Sequence, residues 1–383
     1  MAMRILIAPN AFKNSLPADE AARAIQRGLS LSRLVHTSEC HPIGDGGDGT
    51  GDLIIRQLQG QFIPARVSDP LGRIIDSSFG LIDDGRTAVI EMAHASGLRL
   101  LDLKELDPLH TSSSGTGDLI RMALDRNVKK IILGIGGSAT VDGGTGILQA
   151  LGVRFLDGQG APLTGLPESL TEAVTIDISG LDPRIHNVEL IVLCDVDNLL
   201  LGEEGAAAVF GPQKGASPQG VRKLEASLTK FRELALHHTG KDLGAIRSGG
   251  AAGGAAAGLY GFLGARLVNG IDTFLELTGF ENVLQQCDLV ITGEGSIDLQ
   301  TLQGKGPYGV AVRAKARGLP VIGLAGRVPL EKDLSLEKYF DVLLAIGNSP
   351  MGLAEALQST EANLVRTAKE VGDLLAIYSH PLA

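Results

Sequence analysis

The sequence predicts an α/β protein whose chain leaves one mostly parallel-sheet domain, builds a second and returns to the first. Three observations predict it. Short aliphatic runs alternate with amphipathic helical patterns along the 383 residues, as in right-handed strand–helix–strand crossovers. Aromatic residues are 4% with no Trp, so the core must come from Val, Ile, Leu and Ala, as in buried parallel sheet. Residues 61–92 interrupt the alternation with three extended stretches separated by turn signals. At roughly 100–200 residues per domain the length calls for two or three domains, and no Pro- or Ser-rich linker divides the chain into halves.

Taken in order, residues 4–8 (RILIA) read as a buried strand. Residues 17–29 follow as an amphipathic helix, with Ser15 as N-cap and Asp19 and Glu20 in the first turn. A second strand ends near Pro42, ahead of GDGGDGTGD and another helix. Stretches 62–67, 74–81 and 87–91, punctuated by Asp69-Pro70, Gly72 and Asp84-Gly85, predict an antiparallel meander. Strand–loop–helix units then resume. Residues 130–133 (KIIL) enter GIGGSATVDGG and a helix ending near Leu151, and 190–193 (LIVL) enter CDVDN. Residues 288–291 (DLVI) enter TGEGSID, 320–324 (PVIGL) enter AGR, and 341–345 is the last strand, before a helical pair over 353–377. Within 217–238 the apolar residues Val221, Leu224, Leu228, Phe231 and Leu234 keep the 3–4 spacing of a packed helix face.

Lys+Arg 34 against Asp+Glu 44 gives a net charge of −10, which disfavours nucleic acid or an anionic membrane as partner. Cys40, Cys194 and Cys287 are too few and too scattered for a disulfide framework or a zinc site, and the latter two read as small core residues. The N-terminus lacks the apolar region of a signal peptide, and the apolar stretch 249–265 is short and mostly Gly and Ala. A cytoplasmic protein is expected.

Glycine is the compositional outlier, 51 residues against a usual share of ~7%. Its clusters fall at 44–51, 115–117, 134–146, 249–254 and 293–295, mostly where strands end and helices begin. There helix N-termini present free N–H groups, and glycine lets the backbone approach a phosphate closely, so an anion- or nucleotide-binding cleft is expected. Spacing rules out a P-loop, since Gly304-Lys305 is followed by Gly306 and position 299 is Leu, and no GxGxxG follows the first strand. No GxSxG elbow, HExxH or protein-kinase HRD and DFG set occurs, and the His residues show no metal-ligand spacing. The glycine loops carry Asp45, Asp48, Asp142, Asp195, Asp197, Asn198, Glu294, Asp298 and the lysines Lys13, Lys214 and Lys305. Phosphoryl transfer uses such a set: carboxylates to hold Mg²⁺ and orient the acceptor, lysines to neutralise charge, and N–H groups to cradle phosphate. Asp45 and Asp142, each opening a DGG before a helix, read equally as N-caps or turn formers.

Together these loops resemble the bacterial glycerate kinase family of the glycerate 2-kinase type, over essentially the whole chain. The resemblance runs through IAPNAFKNSL (7–16), GDGGDGT (44–50), EMAHASGL (91–98), SSGTGDLI (113–120), GIGGSATVDGGTG (134–146), CDVDN (194–198), FGPQKGA (210–216), GGAAGG (249–254), ITGEGSID (291–298) and GKGP (304–307). It implies a flavodoxin/Rossmann-like parallel-sheet domain built from both chain ends (1–66 and 280–383), an inserted mixed α/β domain (67–279) and an interdomain cleft. It also implies phosphorylation of D-glycerate by ATP with Mg²⁺, giving 2-phosphoglycerate, and leaves room for a homodimer. On that reading Asp195 orients and deprotonates the acceptor hydroxyl, with Asp298 as competing base, and either carboxylate meets the metal. Lys13 and Lys214 stabilise the moving charge. Gly134, Gly136, Gly137, Ser138, Thr140, Gly293, Glu294 and Gly295 bind the nucleotide. Asp45, Ser114, Gly115, Thr116, Asn198, Ser296 and Lys305 bind the acceptor.

Several positions depart from the family pattern. Asn10-Ala11 stand for Asp-Ser, Val141 for Asn, Leu199 for Pro, and Ser114 and Ser296 for Arg. Arg is the natural bidentate clamp for a carboxylate or phosphate. The departures therefore either define a subgroup with a different acceptor or move the clamp to Arg327, Arg247 or a lysine. The alternatives are a kinase of a related hydroxy acid or sugar acid, and a catalytically silent metabolite-binding relative.

Overall fold

Alternating aliphatic strands and helices build two separate principal sheets. The computed structural model describes residues 2–331 and 333–379. Among the described residues the strands are β1 (Met3–Ile7), β2 (His36–Cys40), β3 (Gln61–Ser68), β4 (Ile74–Ile82), β5 (Thr87–Glu91), β6 (Lys130–Gly134) and β7 (Arg154–Leu156). They continue as β8 (Thr175–Asp177), β9 (Glu189–Cys194), β10 (Arg266–Asn269), β11 (Leu289–Ser296), β12 (Val321–Arg327) and β13 (Val342–Ala345).

The chain divides into two compact units, Met1–Asp45 with Ile271–Ala383, and Gly46–Gly270. The first is built from both chain ends, and the units part at 45/46 and 270/271, where the sequence reading put 66/67 and 279/280. The reason is pairing. β3 is hydrogen-bonded to β4 along its whole length, so it cannot belong to the other sheet. Around 271–279, Asp272 pairs with Arg313 and the Thr278 hydroxyl meets His41, which ties that stretch to the first unit.

In the first unit β1, β2, β11, β12 and β13 are all parallel, in the spatial order β13-β12-β11-β1-β2. Counted along this unit, that is the 2-1-3-4-5 order of flavodoxin-like sheets, with its switch point between β1 and β11. One face buries Ile5, Ile7, Ile291, Ile322 and Leu324 against helices Ala18–Ser30 and Thr360–Ser379. Gly28 sits where those helices touch, and a Cβ there would come within 2.3 Å of the Val365 carbonyl oxygen. Ser15 does not cap the first helix: Pro17 holds that position, and the Ser15 hydroxyl donates to the Leu357 carbonyl.

In the second unit the order is β10-β9-β6-β5-β4-β3. β5, β6, β9 and β10 run parallel, whereas β3, β4 and β5 form the antiparallel meander read from residues 61–92. Its core gathers Ile90, Leu133, Val192, Leu228 and Phe231. The long helix Pro218–Thr239 is N-capped by Ser217, whose hydroxyl accepts from the Gly220 N–H. The short β7–β8 pair was not legible, because three-residue strands carry too little alternation to register. Among the described residues no helix is long and apolar enough to cross a membrane.

Candidate functional site

In open parallel sheets ligands bind outside the carboxyl ends of the strands, and each unit concentrates its polar loops there. At the switch point of the first unit, the Asn10 amide donates to Asp45 Oδ2 at 2.8 Å, and the Gly306 N–H opening helix Gly306–Ala316 reaches the same oxygen at 3.3 Å. The Asn10 N–H donates to the Gly293 carbonyl, pinning the 8–13 loop to β11. An aspartate at position 10 would set a carboxylate against Asp45, so Asn10 brings its own donor.

Glu294 is buried at 7% exposure and its Oε1 accepts from Thr301 Oγ1 at 2.9 Å. Burial first, and then the charge of Asp45, push its carboxyl up to about 7, against the opposing pull of Lys305, Thr301 and Lys13. The folded state therefore holds this proton more tightly than the unfolded chain, whose carboxyl has the ordinary value of 4.5. The resulting stability is complete below the unfolded value and is lost as pH rises through about 7. Glu294→Gln cannot ionise and escapes that loss. Its gain in unfolding free energy over the parent chain should be greater at pH 8 than at pH 5, by roughly 2 kcal/mol. Urea titrations at the two pH values check this, and an equal difference at both would mean that burial does not hold the proton.

Asp298 has a turn-forming task. Its Oδ1 accepts from the Gln300 N–H at 2.9 Å and its Oδ2 from Ser296 Oγ at 3.2 Å, closing the short turn before Thr301. Residues 293–295, expected as a phosphate-binding loop, lie inside β11. A Cβ on Gly293 would come within 2.1 Å of the Leu324 carbonyl oxygen, so the glycine is there for strand contact. Lys13 is exposed, and Lys305 occupies the N-cap position of the following helix.

In the second unit three loops interlock. Gly136 donates its N–H to the Gly46 carbonyl, and a Cβ on Gly136 would come within 2.5 Å of Gly47 Cα. Glu91, ending β5 and wholly buried, accepts from the N–H groups of Gly49 and Gly51, at the start of helix Thr50–Gln57. Burial pushes its carboxyl up to about 8 against those two donors. This internal carboxyl group occupies the helix N-terminus that the sequence offered to a phosphate. Glu91 is the residue sequence reasoning passed over. The available signal was a lone acid ending an otherwise apolar strand, TAVIE.

Lys214 is also buried. Its Nζ donates to Ser138 Oγ at 2.8 Å and to the Thr140 carbonyl at 2.7 Å, and burial pulls its pKa down to about 7. It thus staples the 134–140 loop from behind. The exposed apex is Gly137, at φ +70°. Asp195 follows the last residue of β9, and Leu193 in that strand is in register with Gly134 of β6, so Asp195 and the 134–140 loop leave neighbouring strands at the same edge.

Other expected ligands have internal duties. Asp142 accepts from Ser113 N–H and Oγ and from the N–H groups of Gly144 and Gly146, which makes it the N-terminal anchor of helix Thr145–Ala150. Thr116 is buried with its hydroxyl 2.8 Å from Ser96 Oγ, and a Cβ on Gly115 would meet the Ser68 carbonyl at 1.8 Å. Both pack; of that trio only Ser114 is partly open. Asn198 donates to the Glu204 carbonyl, and Asp197 is gripped bidentately by Arg247 at 3.0 and 2.6 Å.

A flavodoxin-type sheet and a second α/β unit each gather polar loops at strand carboxyl ends, where open parallel sheets usually hold a small ligand. The model of the glycerate kinase family matches residues 5–376. A glycerate kinase of Halalkalibacterium halodurans is 44% identical over 96% of this chain and 97% of its own length. The glycerate 2-kinase of Escherichia coli K12 is 43% identical over 98% of each. The crystal structure described as a glycerate kinase 2 from Salmonella typhimurium LT2 superposes with a TM-score of 0.83 at 43% identity, covering 99% of this chain and 100% of that one. This chain belongs to the glycerate kinase family and is a kinase.

Proposed function

We propose that the chain transfers the γ-phosphoryl group of ATP to the 2-hydroxyl of D-glycerate, giving 2-phospho-D-glycerate in the cytoplasm. The carrying observation is the 134–140 loop, stapled by buried Lys214, which leaves its strand beside the one that delivers Asp195. A loop held rigid by a buried amine offers backbone N–H groups to phosphate without reorganisation when charge develops. Lys214 then acts by holding the loop and by adding positive potential beneath it. Asp195 takes the hydroxyl proton as the acceptor oxygen attacks phosphorus. Its competitor Asp298 is less suited, since both its carboxylate oxygens are engaged in the turn. The relative named for position-2 phosphorylation supports the product.

Mg²⁺ fits these residues. Among the described residues no group of three His, Cys, Asp or Glu side chains could hold a metal ion by itself. An ion carried in on the nucleotide needs only one or two protein carboxylates beside phosphate oxygens and water. Asp195 is the proposed carboxylate, with Asp298 as the second choice. Bound there, the ion neutralises charge on the β- and γ-phosphates.

The test is ³¹P NMR of the purified protein with MgATP and D-glycerate. ADP and 2-phosphoglycerate should appear together. A 3-phosphoglycerate signal would overturn the position. Folded, ATP-binding protein giving no phosphoglycerate would move the acceptor to another small hydroxy acid. Binding of ATP and every acid tried, with no turnover, would mark a silent relative.

A further inference from the structure

Lys214 is a buried amine that holds no carboxylate. It is 3% exposed, and among the described residues no Asp or Glu lies within ion-pair distance of its Nζ. Lys130, Lys223 and Arg232 of the same unit, all more exposed, each hold one. The contacts to Ser138 Oγ and the Thr140 carbonyl use two N–H bonds, and a neutral amine has two. The staple therefore survives without the third proton, which finds no acceptor among the described residues. The charged group facing Lys214 is Asp142, whose carboxylate is already engaged by Ser113, Gly144 and Gly146. Burial prevails over that attraction and leaves the amine half-protonated at about pH 7. In the stapled loop the N–H groups of Gly137 and Ser138 have no acceptor among the described residues. Asp48, beside Gly137, is matched by Arg99 at 2.6 Å.

We infer that Lys214 takes up a proton from solvent when the 134–140 loop binds a phosphate group, so that the loop becomes cationic as it is loaded. This rests on the proposed reading of that loop as the nucleotide-phosphate site. The neutral –NH₂ gains one proton and becomes –NH₃⁺, and no other bond changes. The physical reason is the missing counter-charge. An uncompensated ammonium is costly in a buried site. A phosphate held by the Gly137 and Ser138 N–H groups stands one hydrogen-bonded residue away from Nζ. Its negative charge acts through a poorly screened interior and favours the charged amine. Electrostatic support for phosphate thus arrives with the ligand, and the unliganded loop avoids a stranded charge. Glu91, under the neighbouring loop, also titrates near neutral pH, at about 8, so the test must separate it from Lys214.

Calorimetric titration of the full chain with MgATP, without acceptor, in buffers of different ionisation heat counts the protons taken up. At pH 8 the parent should take up close to one proton per ATP, and its Kd should be about fivefold weaker than at pH 7. Lys214→Arg keeps the charge and cannot lose it, so it should take up none, with Kd at the two pH values equal within about twofold. Uptake that persists in Lys214→Arg belongs to another group, Glu91 first, and overturns the inference. Where arginine does not fit the buried site, NMR of the parent carrying ¹³Cε-lysine decides. One lysine should titrate near pH 7 and move up by at least about one pH unit with ATP bound. No lysine titrating below about pH 9, or one that ATP leaves in place, overturns it equally. ATP bound without proton uptake removes this inference and leaves the kinase reading to the ³¹P experiment. Folded parent that binds no ATP overturns both.

Discussion

Asp195→Asn should lower kcat by roughly 10²- to 10⁴-fold, since a general base contributes in that range and its amide keeps the shape. Asp298→Asn should cost far less, because its oxygens serve the turn before Thr301 and an amide oxygen can still accept the Gln300 N–H. The pair of variants is informative together. Near-normal turnover in Asp195→Asn with a collapse in Asp298→Asn would exchange the two roles. Asp195 is expected to tolerate the change structurally, as it stands beyond the end of β9 and is only partly buried, with its neighbour Asp197 already neutralised by Arg247.

Asp142→Ala should produce the largest loss of stability of any single change considered, about 3–4 kcal/mol. The wild-type carboxylate is fully buried and takes four hydrogen bonds from Ser113, Gly144 and Gly146. Alanine strands those donors away from water and leaves the N-terminus of helix Thr145–Ala150 without its anchor. Asp142→Asn should recover about half of the loss, because its oxygen still accepts while its NH₂ confronts the remaining donors. Equilibrium denaturation of the three proteins measures this. An Asp142→Ala protein within about 1 kcal/mol of wild type would mean that the carboxylate is a ligand-facing group after all.

What the motifs could not reveal was which glycines face a ligand and which face other backbone. The sequence placed glycine clusters at strand ends, and most lie there, yet Gly115, Gly136 and Gly293 are required by contacts of 1.8–2.5 Å that a Cβ would make within the protein. The DGG pattern leaves Asp142 equally a cap, a turn former or a ligand. Only the folded positions of Ser113 and Gly146, distant in sequence or across a turn, make it the anchor of helix Thr145–Ala150. Glu91 went unnoticed for the same reason: its partners Gly49 and Gly51 lie about forty residues earlier.

Local physics alone determined the α/β class, the meander of β3 to β5 and the return of the chain to its first sheet. Strand and helix periodicity, turn residues and aliphatic runs act over a few residues and can be read in order along the chain. Tertiary structure alone decided the boundary at Asp45, the burial of Lys214 beneath the 134–140 loop and the proton held by Glu294. Each depends on which distant segments become neighbours. Desolvation and hydrogen-bond competition are set by those neighbours, and a sequence pattern does not carry them.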